Sequence, residues 1–126
     1  MAVSQYRSRR KSTGGRYRRS FKKKLRELGG LPSSTTIGEK TIRISRGMGG
    51  NVRSGLRMVH VVNVYDPETK QYFKATIAGV VENPADPNYV RRNILTKGAI
   101  IKTEKGNARI VSRPGQSTTL NAVLVK

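Results

Sequence analysis

From Thr41 onward, apolar and polar side chains alternate with a period of two, the spacing of a strand with one buried face. Thr41–Arg46 (TIRISR) sets Ile42 and Ile44 on one face and Arg43 on the other. Arg57–Tyr65 (RMVHVVNVY) is the most strand-like run, apolar on both faces in its middle. It ends in Asp66-Pro67-Glu68-Thr69, a turn sequence with proline at its second position. Over Tyr72–Val81, Phe73, Ala75 and Ile77 alternate with Lys74 and Thr76, so residues 57–81 read as a hairpin. Two prolines make Glu82–Pro87 a loop. Three more strands are expected at Ala99–Thr103, Asn107–Ser112 and Leu120–Val125, with turn chemistry at Lys105-Gly106-Asn107 and Pro114-Gly115-Gln116. Six short strands with little helix predict a mainly β fold, a small closed or nearly closed β-barrel. Periodicity alone does not separate that barrel from an open sandwich.

Upstream the pattern is lost. After the initiator, the only apolar side chains before residue 21 are Ala2, Val3, Tyr6 and Tyr17. Such a segment buries too little apolar surface to offset the entropy of ordering itself, so residues 1–20 are expected to be disordered when free. Phe21, Leu25 and Leu28 recur at helical spacing before Gly29, which predicts one short helix near 21–29. At about two turns it is too short to stand alone in water and should form on docking. The chain thus divides into an N-terminal extension, residues 1–30, and a β-barrel body, residues 31–126.

Charge explains the extension. The 126 residues carry 26 Lys or Arg against seven Asp or Glu, a net +19. Residues 1–57 hold 16 basic and two acidic side chains, net +14, while residues 58–126 hold ten and five, net +5. A chain this basic repels itself and calls for a polyanion. The absence of Cys excludes a disulfide scaffold, a thiolate metal site and a Cys nucleophile, and a single His removes most other metal options. No apolar run reaches the ~20 residues of a membrane helix, and the basic start has no apolar stretch behind it, so neither a membrane span nor a secretory signal is expected.

Chemistry-bearing groups are few. His60 stands alone in an apolar strand, Asp66 and Glu68 lie in a turn, and Asp86 between two prolines should organise its own loop. Gly47-Met48-Gly49-Gly50-Asn51 lacks the spacing of a phosphate-binding P-loop, and its glycines suit positive φ or a close backbone approach. Framed by Arg46 and Arg53, it is equally compatible with contact to an RNA phosphate. No catalytic residue, metal site, cofactor or small-molecule substrate is expected. The arm differs. Arg7, Arg9, Arg10, Lys11, Arg16, Arg18, Arg19, Lys22, Lys23, Lys24 and Arg26 alternate with Ser, Thr, Gly and Tyr, with no acidic residue before Glu27. Seven of these eleven are Arg, which bonds phosphate bidentately and stacks on bases. Tyr6 and Tyr17 add possible stacking surfaces. Arginine-rich segments that fold on binding are a recurrent RNA-recognition device.

The stretch Ser8-Arg9-Arg10-Lys11-Ser12-Thr13-Gly14-Gly15-Arg16, then Lys22-Lys23-Lys24 and Glu27-Leu28-Gly29, resembles the archaeal and eukaryotic small-subunit ribosomal protein family eight-e. Gly49-Gly50-Asn51, Val81-Glu82-Asn83-Pro84, Arg91–Gly98 and Ser112–Gln116 extend the resemblance, in order, over essentially the whole chain. It implies a non-enzymatic constituent of the cytoplasmic small ribosomal subunit that binds rRNA beside other ribosomal proteins, most like the compact archaeal members. With the charge map, it makes the barrel a platform whose Arg43, Arg46, Arg53, Arg57, Arg91, Arg92, Lys97 and Arg113 face phosphates, Arg91-Arg92-Asn93 from a loop. The alternatives are a ribosome-assembly factor of the same superfamily and an architectural DNA-binding protein.

Overall fold

The computed structural model describes residues 4–18 and 22–125. The chain divides between Pro32 and Ser33 into two compact units. In the first, Ser4 bridges to Leu28 and the Gln5 N–H donates to the Glu27 carbonyl at 2.7 Å. The two-turn helix expected near 21–29 is a single 3-10 turn, Leu25–Glu27. Phe21, the first apolar position of that pattern, lies outside the described residues. Leu25 is 87% exposed. Without an apolar surface to cover its stripe, so short a segment retains only one turn.

The described residues of the second unit form eight strands: β1 (Thr36–Ile37), β2 (Thr41–Arg46), β3 (Val52–Val59), β4 (Val61–Asp66), β5 (Gln71–Glu82), β6 (Ile100–Thr103), β7 (Gly106–Ile110) and β8 (Asn121–Leu124). A one-turn helix, α1 (Asn88–Arg91), lies between β5 and β6. The mainly β expectation holds, and the barrel is closed, in the order β4-β5-β6-β7-β8. It has five strands; the others form a separate sheet ordered β1-β3-β2. Antiparallel pairing runs from β4 to β8, and a parallel β4–β8 ladder (Asn63↔Asn121, Tyr65↔Val123) closes the ring.

Alternation fills the interior. Val62 and Val64 from β4, Ala75 and Ile77 from β5, Ile101 from β6, Ala108 and Ile110 from β7 and Ala122 from β8 point inward. Leu56 and Val59 of β3, with Leu95, Ala99 and Leu120 from connections, complete the same core. β5 is long enough to pair with β4 through Gln71–Thr76 and with β6 through Ile77–Glu82. Irregularities in that second half, between Ile77 and Gly79 and between Val80 and Glu82, bend it around the barrel.

The run Arg57–Tyr65, expected as one strand, is two. His60 is the corner: its carbonyl accepts from the Ile77 N–H at 2.9 Å, and its Nδ1 lies 3.3 Å from the Gly38 carbonyl. Met58 and Val59 therefore pair with β1, and Val61 begins the barrel. The hairpin expected over 57–81 is β4–β5 from Val61 onward. Asp66 closes its turn, accepting from the Glu68 N–H at 3.0 Å and the Thr69 hydroxyl at 2.9 Å.

Candidate nucleic-acid interface

In the first unit, Arg7, Arg9, Arg10, Lys11, Arg16, Arg18, Lys22, Lys24 and Arg26 are exposed and Lys23 is half-buried; Arg19 lies outside the described residues. Residues 8–17 close a small loop. The Tyr17 N–H donates to the Arg9 carbonyl at 3.1 Å, the Lys11 N–H to Gly15 at 2.7 Å and the Gly14 N–H to Lys11 at 3.0 Å. Arg10 Nη1 reaches the Gly14 carbonyl at 3.1 Å. Local bonds thus display the arginines with no apolar core beneath them. The Arg7 guanidinium sits 4.4 Å from the Tyr17 ring centroid and the Lys11 ammonium 5.7 Å. That ring already carries cations on its face, which orients Arg7.

The second unit concentrates charge on the β2–β3 hairpin. In register, Ile42 faces Leu56, Arg43 faces Gly55, Ile44 faces Ser54, Ser45 faces Arg53 and Arg46 faces Val52. One face therefore carries Arg43 and Arg53 on a diagonal, ~7–8 Å apart at the backbone. Arg57 lies further along the same strand. The other face carries Ile42, Ile44 and Val52, continuous with the buried Leu56 at one end and exposed toward the tip, where Arg46 stands opposite Val52. The tip is the glycine-rich loop. Gly49 and Gly50 hold φ of 68° and 75°, and the Gly47 N–H donates to the Asn51 carbonyl at 2.6 Å. Positive φ requires glycine at 49 and 50, while Met48 just before them is 93% exposed.

Gly55 explains a further contact. A Cβ there would collide with the carbonyl of Gly115, and the Leu56 N–H donates to the Pro114 carbonyl at 2.8 Å. The loop carrying Arg113 thus lies on the face of the β2–β3 hairpin that bears Arg43 and Arg53. Sequence reasoning missed this, because Gly55 lies outside every strand that alternation predicts. Arg91 and Arg92, expected in a loop, end and follow α1, and the bend is set by Asn93 at φ 49°. Asp86 organises this segment, accepting from the Asn88 N–H at 2.9 Å. Asn83, also missed, is buried: it donates to the Ile94 carbonyl at 3.1 Å and accepts from the Ala85 N–H and the Thr96 hydroxyl. It pins the loop from which Lys97 projects.

Arg43, Arg46, Arg53, Arg57, Arg91, Arg92, Lys97 and Arg113 are all exposed, and none pairs with a described carboxylate. Among the described residues no cluster of three or more His, Cys, Asp or Glu could hold a metal, and no helix is long and apolar enough to cross a membrane. What this surface offers chemically is fixed, unneutralised positive charge.

Comparison with known proteins is consistent with that surface. The family described as Ribosomal protein S8e matches residues 4–125. The chain is similar to "Small ribosomal subunit protein eS8" of Methanoculleus marisnigri, 52% identical over 121 residues that cover 96% of this chain and 97% of the relative. The protein of the same name from Methanococcus aeolicus is 46% identical over 126 residues, covering 99% and 98%. That from Picrophilus torridus is 45% identical over 125 residues, covering 99% and 100%.

Proposed function

Because this chain belongs to the ribosomal protein S8e family, we propose that its exposed cations bind the rRNA of the small ribosomal subunit. Membership makes it a structural ribosomal protein and not an enzyme. Residues 1–30 act as the RNA-contacting arm and residues 31–126 as the body, which presents the β2–β3 hairpin, Arg91, Arg92, Lys97 and Arg113. The observation that carries this reading is the pairing pattern: the body's Arg43, Arg46, Arg53, Arg57, Arg91, Arg92, Lys97 and Arg113 are exposed and lack carboxylate partners among the described residues. Contacts of this kind go to phosphate and sugar, and so respond to RNA shape more than to base sequence. Ordered on rRNA, the arm works as a counterion that lets negatively charged helices pack together.

Salt titration of the purified protein on small-subunit rRNA tests this. With ~8 arm charges on phosphates, the logarithm of the association constant plotted against log salt should fall with a slope near −6 to −7. Replacing Arg7, Arg9, Arg10, Lys11, Arg16 and Arg18 together by Gln should remove most of that slope and most of the affinity. A wild-type slope shallower than about −2 would discard the arm as an RNA anchor. An assembly factor of the same superfamily would instead be absent from mature small subunits in co-sedimentation.

A further inference from the structure

A second kind of surface lies on the outer wall of the barrel, on strands that carry none of the body cations named above. Across β5, β4 and β8 the register aligns Lys74, Asn63 and Asn121 in one row. The next row is Tyr72, Tyr65 and Val123, continued on β7 by Arg109. Alternation turns all of these outward, because their neighbours Val62, Val64, Ala75, Ala108 and Ala122 fill the core. The rows line a groove of about 580 Å³.

We propose that this groove holds a single unpaired RNA base, a site distinct from the phosphate contacts and resting on the RNA-binding reading given above. Tyr72 is 78% exposed, yet its ring is already placed, 4.8 Å from the Tyr65 ring and tilted by 37°. Exposed and beside a second ring, Tyr72 offers a surface on which a base can stack. Beside it the Asn63 amide donates to Asn121 Oδ1 at 3.1 Å. That bond leaves the Asn63 oxygen as an acceptor and the Asn121 NH2 as a donor on two residues that line the groove. Adjacent acceptor and donor match the polar edge of a base. Lys74 lines the groove and no carboxylate does, and Arg109 lies one strand beyond Val123 in the same row, so the charge there favours an anionic occupant. An apolar peptide would leave the Asn63–Asn121 amide pair without a hydrogen-bonding match.

The test uses the full chain with two probes, single-stranded hexa-adenylate and an RNA duplex closed by a hairpin. Tyr72→Ala should weaken the single strand roughly tenfold or more, the loss expected of one stacked base, and leave duplex affinity unchanged. Tyr72→Phe should retain wild-type affinity for both. In the wild-type protein, NMR signals of the Asn63 and Asn121 side-chain amides should shift on adding hexa-adenylate and stay in place with duplex. Equal loss on both probes, no loss on either, or silent amides would overturn the groove. Wild-type protein that binds duplex but not the single strand would overturn the groove and leave the arm reading standing. Binding to neither would remove both.

Discussion

Gly55 marks where this fold tolerates no side chain at all. Its hydrogen takes the space against which the Gly115 carbonyl rests, and the Leu56 N–H holds the adjoining Pro114 carbonyl at 2.8 Å. Gly55→Ala should lower stability by about 1–3 kcal/mol or more, since backbone rather than a flexible side chain must move. Urea denaturation checks this; an unchanged midpoint would mean that the 113–115 loop yields freely. The same substitution should also disturb Arg113. At this scale the sequence was legible only where the chemistry is local. Gly49 and Gly50 have the positive φ that their turn position suggested, and Asp86 ties its own loop. Gly55 and Asn83 serve partners sixty and eleven residues away, Gly115 and Ile94, and nothing beside them in the chain announces that.

Among the elements, β2 was readable to the residue because Ile42 and Ile44 alternate with the polar Thr41, Arg43 and Ser45. The first half of β3, Val52-Arg53-Ser54-Gly55, carries no such pattern, and β1 is two residues long, too short to show a period. Both exist because the hairpin and the bridge to residues 94–95 supply pairing from elsewhere. The break at His60 was hidden for the opposite reason: apolar residues continue through the corner, since β3 and β4 feed one core. The charged side chains were all legible as candidates, whereas their grouping required the register. That register sets Arg43, Arg53 and Arg57 on the hairpin. Replacing these three by Gln should reduce the salt-dependence slope on rRNA by about 2–3, near one per phosphate contact removed. The exposed positions predict an unchanged melting temperature. An unaltered slope would show that the hairpin arginines only solubilise the body.

For the molecule as a whole, the barrel depends on its last strand. β8 pairs with β7 on one side and β4 on the other, and its Ala122, with Leu120 just before it, fills the core. A chain ending after Ile110 should fail to form the barrel. Hydrogen exchange would then find β4 amides unprotected, where protection equal to the full chain would refute this dependence on β8. Six strands of nearly equal standing were anticipated; closure by five followed from the parallel β4–β8 seam, a long-range pairing that local alternation does not encode.

That seam has a kinetic meaning. Asn63 and Asn121 are 58 positions apart, whereas β4–β5 and β6–β7 join neighbours across short turns. Hairpins zip within microseconds, but a ring whose ends are so distant in the chain must first close a long loop. Folding should therefore end, rather than begin, at the seam, and the wall that bears Asn63 and Asn121 side by side comes into being only with that final event.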